Sequence, residues 1–490
     1  MSDLAALRPT EIVRLVSTGE VSPVEVIQSA LDRVERYNPT LNAVVTPNER
    51  ALDDARDLEA SLATGAQPGP LCGVPVGIKD ITDVAGLRTT YGSLLYIDNV
   101  PDADALVVER LRNAGAIIIG KTNTPEFAAG GNTFNEVFGR TRNPWNPALS
   151  AGGSTGGGAA ALASGMIGVA EGTDLGGSLR IPASFCGLVG IRPSPGLVPT
   201  YPTAWPWDDL AVTGPMARTA KDVALALQVM AGPDPRSPMK QPMNGRDFVG
   251  AVAGALLEGL RLAYCPDIVG LGIDASIEER CRSAAFGLAD GGAQVEPVDL
   301  AFADGRKAFL HLRGVWMVAH MRERMDHLAE LGDNVRGNIE AGLKVTTHQV
   351  AWAHAVRGRM WAFFERFFEH HDFLLTPSMA VSPFPVAQNY PETVGGRAMK
   401  TYVDWIAPTF TLSLTGLPVA SVPCGLDAHG LPVGLQVVGP PLGEERVLGL
   451  CRLIQEAYPI GEPYLEALEI SSATSAPTDA GSPAPTRPGR

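Results

Sequence analysis

Two short glycine-rich segments each contain a serine whose surroundings could support nucleophilic catalysis. Residues 151–157 read AGGSTGG, with Ser154 in the middle, and residues 172–180 read GTDLGGSLR, with Ser178 near the end. The second segment could present consecutive backbone N–H groups to a developing oxyanion, which is usually the largest electrostatic contribution to acyl transfer. These N–H groups belong to Leu175, Gly176, Gly177 and Ser178. The pattern therefore predicts acyl transfer to a serine.

Taken alone, the 151–157 segment is compatible with other structures. Such a loop could also be a tight turn, a helix N-terminus or an anion-binding nest. A phosphate-binding P-loop is excluded because the Gly-Lys-Ser/Thr ending is missing, and a Rossmann loop is a poor match. The catalytic interpretation thus depends on the 172–180 segment and on a base to activate the serine.

The candidate base is Lys79. The eight histidines lie in a predicted helical region or in a turn, so we interpret them as surface or packing residues. Lys79 follows the apolar residues 74–78, which we interpret as a buried strand where an ammonium would lose hydration. A strand-end lysine can also extend to water and do nothing. Acting as a base requires its pKa to fall by about 3 units from about 10.4, or roughly 4 kcal/mol, which burial can supply.

The elements around these segments alternate between strands and helices, which predicts an α/β fold. The many small residues between 150 and 190 predict close approach of backbones. Residues 250–375 are predicted to be mostly helical. The other predicted elements are a helix capped by Ser22 that ends at 38–39, a helix at 104–114, a strand at 116–119, a helix capped by Thr219, a hairpin-like pair at 419–422 and 433–438, and a helix at 444–458. The apolar segment at 188–191 argues against a flexible linker in the glycine-rich region.

The overall composition is that of a globular enzyme. The chain has 490 residues, of which 45% are hydrophobic and 19% charged, and its net charge is −14. That charge argues against a nucleic-acid surface and against docking on an anionic membrane. We expect one domain over residues 1–470, with a helical elaboration at roughly 240–370 and a disordered tail at 471–490.

The cysteine spacing indicates neither a zinc site nor a disulfide framework, so the six cysteines are interpreted as small core residues. The N-terminus lacks the apolar run of a signal peptide, and no stretch approaches the roughly 18 apolar residues of a spanning helix. These features predict a cytoplasmic protein. We expect no metal and no cofactor.

Lys79, the loop at 152–157 and the segment at 172–180 together resemble the amidase signature family, and the 24-residue separation of the two serines fits its pattern. The resemblance extends over about residues 8–235 and 370–465. It implies a central twisted mixed β-sheet covered by helices on both faces, and hydrolysis of an amide C–N bond.

The resemblance also implies a role for each matching residue. Ser178 would be the nucleophile, Ser154 a bridging serine that follows a cis peptide from Gly153, and Lys79 the base. The N–H groups named above would form the oxyanion hole. Asp174 and Arg180 would brace the loop, together with Thr155, which stands where many members have a second serine. Threonine keeps the hydroxyl, so we expect only a modest effect on that accessory position.

A substrate pocket is expected between the 127–133 segment, the loop near residue 205 and the helices at 310–365. Its predicted wall residues are Phe127, Gly130, Gly131, Tyr201, Trp205, Trp207 and Trp316. Their aromatic character favours an apolar or aryl amide, although tryptophans can equally be ordinary core residues. Carbamates and esters would suit the same machinery. We expect the partners to be the amide and water, with the protein a monomer or homodimer.

The sequence is also compatible with a glutamine-hydrolysing subunit and with a non-enzymatic binding protein. The glutamine-hydrolysing subunit of the aminoacyl-tRNA amidotransferase shares this signature. That branch is typified by an acidic residue at the position where this chain has Ile406, and it tends to have glutamine where this chain has Ile181. A non-enzymatic relative would usually have lost one member of the triad, and this sequence keeps all three. These observations favour a stand-alone amidohydrolase.

Overall fold

A long mixed β-sheet carries the residues singled out above. The computed structural model describes residues 4–466. In that range the strands are β1 (Val44–Pro47), β2 (Pro75–Lys79), β3 (Ile117–Thr122), β4 (Phe134–Asn135), β5 (Gly139–Arg140), β6 (Arg142–Asn143), β7 (Asn146–Ser150), β8 (Val169–Asp174), β9 (Val189–Arg192), β10 (Val212–Ala217), β11 (Arg261–Tyr264), β12 (Gln294–Pro297), β13 (Phe373–Pro377), β14 (Thr393–Val394), β15 (Arg397–Ala398), β16 (Val419–Leu426) and β17 (Pro432–Val438).

The helices cover this sheet. They are α1 (Pro9–Ser17), α2 (Pro23–Leu41), α3 (Ala51–Ala63), α4 (Leu106–Asn113), α5 (Gly156–Ala163), α6 (Arg180–Cys186), α7 (Ala220–Met230), α8 (Phe248–Gly254), α9 (Ala275–Gly287), α10 (Gly305–His320), α11 (Asp333–Gly342), α12 (Thr347–His370), α13 (Ala407–Ser413) and α14 (Glu444–Ala457).

The main sheet runs in the order β1-β3-β2-β8-β10-β9-β16-β17-β13-β11-β12. Its neighbours β3, β2 and β8 are parallel, as are β13, β11 and β12, while the pairs between these two groups are antiparallel. Successive side chains of a strand point to opposite faces of the sheet, and here both faces pack against hydrophobic clusters. On β3, Ile118 belongs to one hydrophobic cluster, and Ile117 and Ile119 belong to another. The predicted α/β fold with a central mixed sheet between helices is confirmed.

One helix ends later than its sequence indicates. Ser22 caps α2 as predicted: its side chain accepts the Val24 N–H, and its backbone N–H donates to Glu25 Oε2. The helix then continues past Pro39 to Leu41 instead of ending at 38–39. Proline removes only its own N–H bond, and fully buried Leu41 packs in the core and holds the last turn.

The stretch at 250–375 is largely helical but also contains β11 and β12, which the sequence did not indicate. Both strands join the main sheet next to β13. Each has only four residues, and β12 is mostly exposed at the edge, so neither leaves a clear apolar pattern.

The C-terminal hairpin β16–β17 and helix α14 form where predicted. The tail predicted at 471–490 lies outside the described residues. Between residues 4 and 466, no helix is both long and apolar enough to cross a membrane.

Candidate active site

Two adjacent parallel strands of the main sheet, β2 and β8, bring the candidate base close to the segment that contains the candidate nucleophile. Lys79 is the last residue of β2 and Asp174 the last of β8, so both strands end at the same edge. Ser154 lies just before α5, and Ser178 lies in the turn between β8 and α6. The Thr155 N–H donates to the Ser178 carbonyl at 3.2 Å, which ties the two serine segments to each other.

Lys79 directly contacts Ser154, the predicted bridging serine. Its Nζ atom lies 2.6 Å from Ser154 Oγ and 3.0 Å from Thr173 Oγ1, both hydrogen-bonding distances. Lys79 and Ser154 are fully buried. The Gly153–Ser154 peptide is cis, as the resemblance implies. The lysine and Ser154 are therefore positioned to exchange a proton.

Burial shifts the acid–base balance of Lys79 in the required direction. Loss of hydration lowers the pKa of its ammonium to about 7, although the nearby carboxyl groups of Glu171 and Asp174 act to raise it. A lysine with this pKa is neutral in about half of the molecules near pH 7. The amine can thus serve as a base in neutral solution.

Ser178 lies at the wall of the same cavity as Ser154, and it is half-buried. Within residues 4–466 its hydroxyl makes no hydrogen bond, so the structure joins Lys79 to Ser154 but leaves the Ser154–Ser178 link unformed. The nucleophile candidate is accessible from the cavity, and its hydroxyl is not committed to another partner in the described chain.

The turn before Ser178 presents backbone donors to the cavity. In the described part of the chain, the N–H groups of Leu175, Gly176 and Ser178 donate to no protein acceptor. The Gly177 N–H differs from the prediction, because it donates to Asp174 Oδ1 at 2.8 Å and is already engaged. Three of the four predicted donors are therefore available to an oxyanion.

The buried pair of Asp174 and Arg180 holds this turn. Asp174 also accepts the Leu179 N–H, and its carboxylate contacts Arg180 Nε and Nη2 at 3.0 Å each. The remaining Arg180 hydrogen bonds go to the Thr409 carbonyl, Gln436 and Ser413. All five guanidinium donors are thus used, as a fully buried arginine requires. The geometry supports the bracing role expected for both residues.

Glycines let the two serine segments pack closely. A Cβ atom at Gly172 would lie 2.6 Å from Thr155 Cγ2, and one at Gly177, whose φ is +122°, would collide with Thr409. Thr155 itself is buried, and its hydroxyl has no hydrogen-bond partner among residues 4–466. Thr155 therefore supports the loop through packing and its backbone N–H, and its retained hydroxyl contributes no bond.

Sequence reasoning missed a second buried charge cluster behind Lys79. The Glu171 carboxyl accepts the Lys79 backbone N–H at 3.1 Å and the Thr82 hydroxyl at 3.0 Å, and burial raises its pKa. Lys121 on β3 is also fully buried. Loss of hydration lowers its pKa to about 8, and its Nζ donates to the Thr82 carbonyl and to Thr89 Oγ1. The sequence signal for this cluster was a charged residue, Glu171, within a strand that is mostly buried.

Glu171→Gln is expected to shift the pH dependence of catalysis to lower pH. Removing the carboxylate removes a charge that stabilises the Lys79 ammonium, so the pKa of Lys79 should fall further. Glutamine still accepts the Lys79 N–H. The midpoint of the acid limb of kcat/KM, measured across about pH 5 to 9, should move down by about one unit. A midpoint that stays in place or rises would show that Glu171 does not influence the base.

A cavity of about 520 Å³ opens from the serines. Of the predicted wall residues, those that line it are Phe127, Gly130, Tyr201, Trp205 and Trp316. Gly131 and Trp207 were predicted wrongly. Gly131 packs behind the Ser154 loop, where an added Cβ would lie 2.7 Å from the buried Trp405 ring, and Trp207 is 69% exposed, facing solvent.

The cavity wall also contains polar groups that the sequence did not single out. His320 stacks on Trp316 with ring centroids 3.9 Å apart, and Asp208 accepts the Trp316 indole N–H at 2.6 Å. The spacing of Trp316 and His320, one helical turn apart on α10, was a signal for this pair. Arg313, one turn earlier, lines the same wall.

The described residues offer no group of three His, Cys, Asp or Glu side chains arranged to hold a metal ion. The six cysteines are buried, as the sequence predicted, and unpaired.

Comparison with known proteins places this geometry in a family. The family model described as Amidase matches residues 25–448. An acylamidase of Rhodococcus erythropolis is 36% identical over 435 residues, covering 86% of this chain and 90% of the relative. A glutamyl-tRNA(Gln) amidotransferase chain of Carboxydothermus hydrogenoformans is 34% identical over 455 residues, covering 87% of this chain and 92% of the relative.

A solved structure agrees with these matches. The crystal structure of a bacterial aryl acylamidase of the amidase signature family superimposes with a TM-score of 0.86 and 30% identity, covering 96% of this chain and 99% of that one. The chain belongs to the amidase signature family and is an amidase, an enzyme that hydrolyses amide C–N bonds.

Proposed function

We propose that this amidase hydrolyses apolar or aryl amides through an acyl-enzyme on Ser178, activated by Ser154 and Lys79. The observation that carries the proposal is the 2.6 Å contact between Lys79 Nζ and Ser154 Oγ, at the edge of a cavity that Ser178 also lines. The lowered pKa of Lys79 supplies the neutral amine that the mechanism needs.

Acylation begins when the Ser178 hydroxyl attacks the amide carbonyl. Ser154 takes the proton from Ser178 and passes its own to Lys79, while the N–H groups of Leu175, Gly176 and Ser178 stabilise the oxyanion. The relay then reverses and protonates the nitrogen, because an unprotonated amine leaves poorly. Water repeats the sequence on the acyl-enzyme and releases the acid.

This cycle requires a hydrogen bond between Ser154 and Ser178 that the structure does not contain. Catalytic hydrogen bonds are often long in the absence of substrate and tighten in the Michaelis complex. We therefore propose that the uncommitted Ser178 hydroxyl turns towards Ser154 when substrate binds and forms this hydrogen bond.

The cavity wall supports an apolar or aryl substrate. Phe127, Trp205 and Trp316 line it, and so do Ile181 and Ile406. At the positions of these two isoleucines, the pattern typical of the glutamine-hydrolysing branch has polar residues. Without an acid at the position of Ile406, that wall offers no partner for the amine of glutamine. Aryl carbamates and esters would react through the same groups.

The second candidate is the glutamine-hydrolysing subunit of an aminoacyl-tRNA amidotransferase, since such subunits are similar over most of this chain. The apolar positions at 181 and 406 favour the stand-alone enzyme. We propose that it acts on a small amide and water, as a monomer or homodimer, without nucleic acid.

Relative specificity constants test this assignment. The purified chain alone would be assayed on anilides, primary aliphatic amides, glutamine and aryl carbamates. We expect kcat/KM for the best anilide to exceed that for glutamine by about 100-fold or more. Glutamine as the preferred substrate, with turnover stimulated by a partner protein and tRNA, would establish the second candidate instead.

A further inference from the structure

Helix α10 leads from the catalytic turn along the cavity wall. At its start, Phe309 packs on the turn, since a Cβ added at Gly176 would lie 3.1 Å from Phe309 Cζ. Arg313 follows one turn later, about 6 Å along the helix axis, on the same face. Arg313 and Gly176 both line the cavity. Arg313 therefore belongs to the wall of the cavity that Ser178 also lines.

Arg313 is buried without a counter-ion. Its side chain is only 7% exposed, its Nε donates to Asn338 Oδ1 at 2.9 Å, and its Nη2 donates to the Tyr402 hydroxyl. Across residues 4–466, no carboxylate oxygen lies within 4 Å of this guanidinium. Arg180 provides the contrast, because that buried arginine is neutralised by Asp174.

The carboxylates that share the cavity wall are engaged elsewhere. Asp208 accepts the Trp316 indole and the N–H groups of Leu210 and Ala211, and Asp83 accepts the Tyr91 hydroxyl. Glu323, which also lines the cavity, is exposed and pairs with Arg322. A buried charge with only neutral partners is unfavourable, and in a cleft such a group indicates a binding role. An anion in the cavity would supply the charge partner that Arg313 lacks among residues 4–466.

We propose that Arg313 is the subsite for a carboxylate carried by the substrate. A planar guanidinium matches a carboxylate in shape and charge, and a buried pair of this kind is strong when its hydrogen bonds are complete. The inference rests on the proposed function and narrows it. The substrate is an amide with an apolar or aryl body and a carboxylate that the cavity draws towards α10.

Matched anilides test the subsite. One pair carries the charge on the amine side, para-acetamidobenzoate and its neutral ketone isostere para-acetylacetanilide. The other carries it on the acyl side, N-phenylsuccinamate and its neutral isostere levulinanilide, so that both members release aniline. In at least one pair we expect kcat/KM to favour the carboxylate by about 100-fold, and this ratio to fall to about one in Arg313→Met.

Two further variants make the assignment specific. Arg313→Lys should keep part of the preference, because it keeps the charge but loses the planar fork. Arg359→Gln removes an exposed arginine that pairs with Asp304, and neither residue lines the cavity, so this control should leave the ratio unchanged. Should Arg313→Met fail to fold, as judged by its melting temperature, the wild-type ratios and Arg313→Lys decide the matter.

The outcomes separate this inference from the proposed function. Hydrolysis of all four anilides with no carboxylate preference, or a preference that survives in Arg313→Met, overturns the subsite and leaves the amidase proposal standing. Failure of all four anilides while glutamine is hydrolysed overturns both.

Discussion

Replacing Ser178 by alanine is expected to lower amide turnover by about four orders of magnitude or more. The hydroxyl is the only group proposed to bond covalently to the acyl carbon, so the variant keeps the cavity and the oxyanion donors but loses the reaction path. Folding should be unaffected, because the Ser178 side chain makes no hydrogen bond in the described chain.

The measurement is kcat/KM for the best anilide, with thermal melting recorded alongside. Ser237 is a matched control, since it lines the same cavity and its hydroxyl donates to the Met239 carbonyl. Ser237→Ala should retain most of the activity. A folded Ser178→Ala enzyme with substantial turnover would remove Ser178 from the role of nucleophile.

Lys79→Ala is expected to cost about three to four orders of magnitude in kcat/KM and to abolish the acid limb of the pH profile. The active form is the neutral amine, so wild-type activity should fall as pH drops below the Lys79 pKa of about 7 and level off above it. Without the amine, no group in the relay titrates in that range.

The pH profile distinguishes a base from a structural lysine. A lysine that merely filled a buried site would lower the rate on removal without changing the midpoint. An acid limb near pH 7 that persists in Lys79→Ala would therefore exclude Lys79 as the base. Glu171→Gln, which moves the midpoint while keeping the amine, is the complementary experiment.

The chemistry of the site was predictable from sequence because its groups lie in short local patterns. A serine after two glycines and a lysine at the end of an apolar strand are visible in the sequence as candidates, and the resemblance to the amidase signature family assigned their expected roles. The same holds for the glycines that permit close packing, as at Gly172. Helix caps such as Ser22 are equally local, since donor and acceptor are separated by three residues.

Features that depend on distant contacts were not predictable in this way. The engagement of the Gly177 N–H by Asp174 is a detail of how the turn closes, and no spacing encodes it. Whether a tryptophan faces the cavity or solvent depends on loop conformation, and in the structure Trp205 lines the cavity while Trp207 faces solvent. The short strands β11 and β12 were obscured by the helical sequence pattern around them.

The buried charges illustrate the same limit on a larger scale. Glu171 and Lys79 are 92 residues apart in sequence, and only the parallel pairing of β2 and β8 brings them together. Nothing in the local sequence around Arg313 indicates that its guanidinium lies between Asn338 and Tyr402. Charged residues acquire their chemistry from neighbours supplied by the whole fold.

A double-mutant cycle on the acylation rate tests the relay most directly. The rate of covalent modification of Ser178 by an activated aryl ester, followed by intact mass in a single turnover, would be compared in the wild type, Lys79→Ala, Ser154→Ala and the double variant. Groups that act as one unit lose their function together, so the double variant should be about as slow as either single variant. Losses that multiply would show that the amine and the bridging hydroxyl act separately, and would contradict the mechanism.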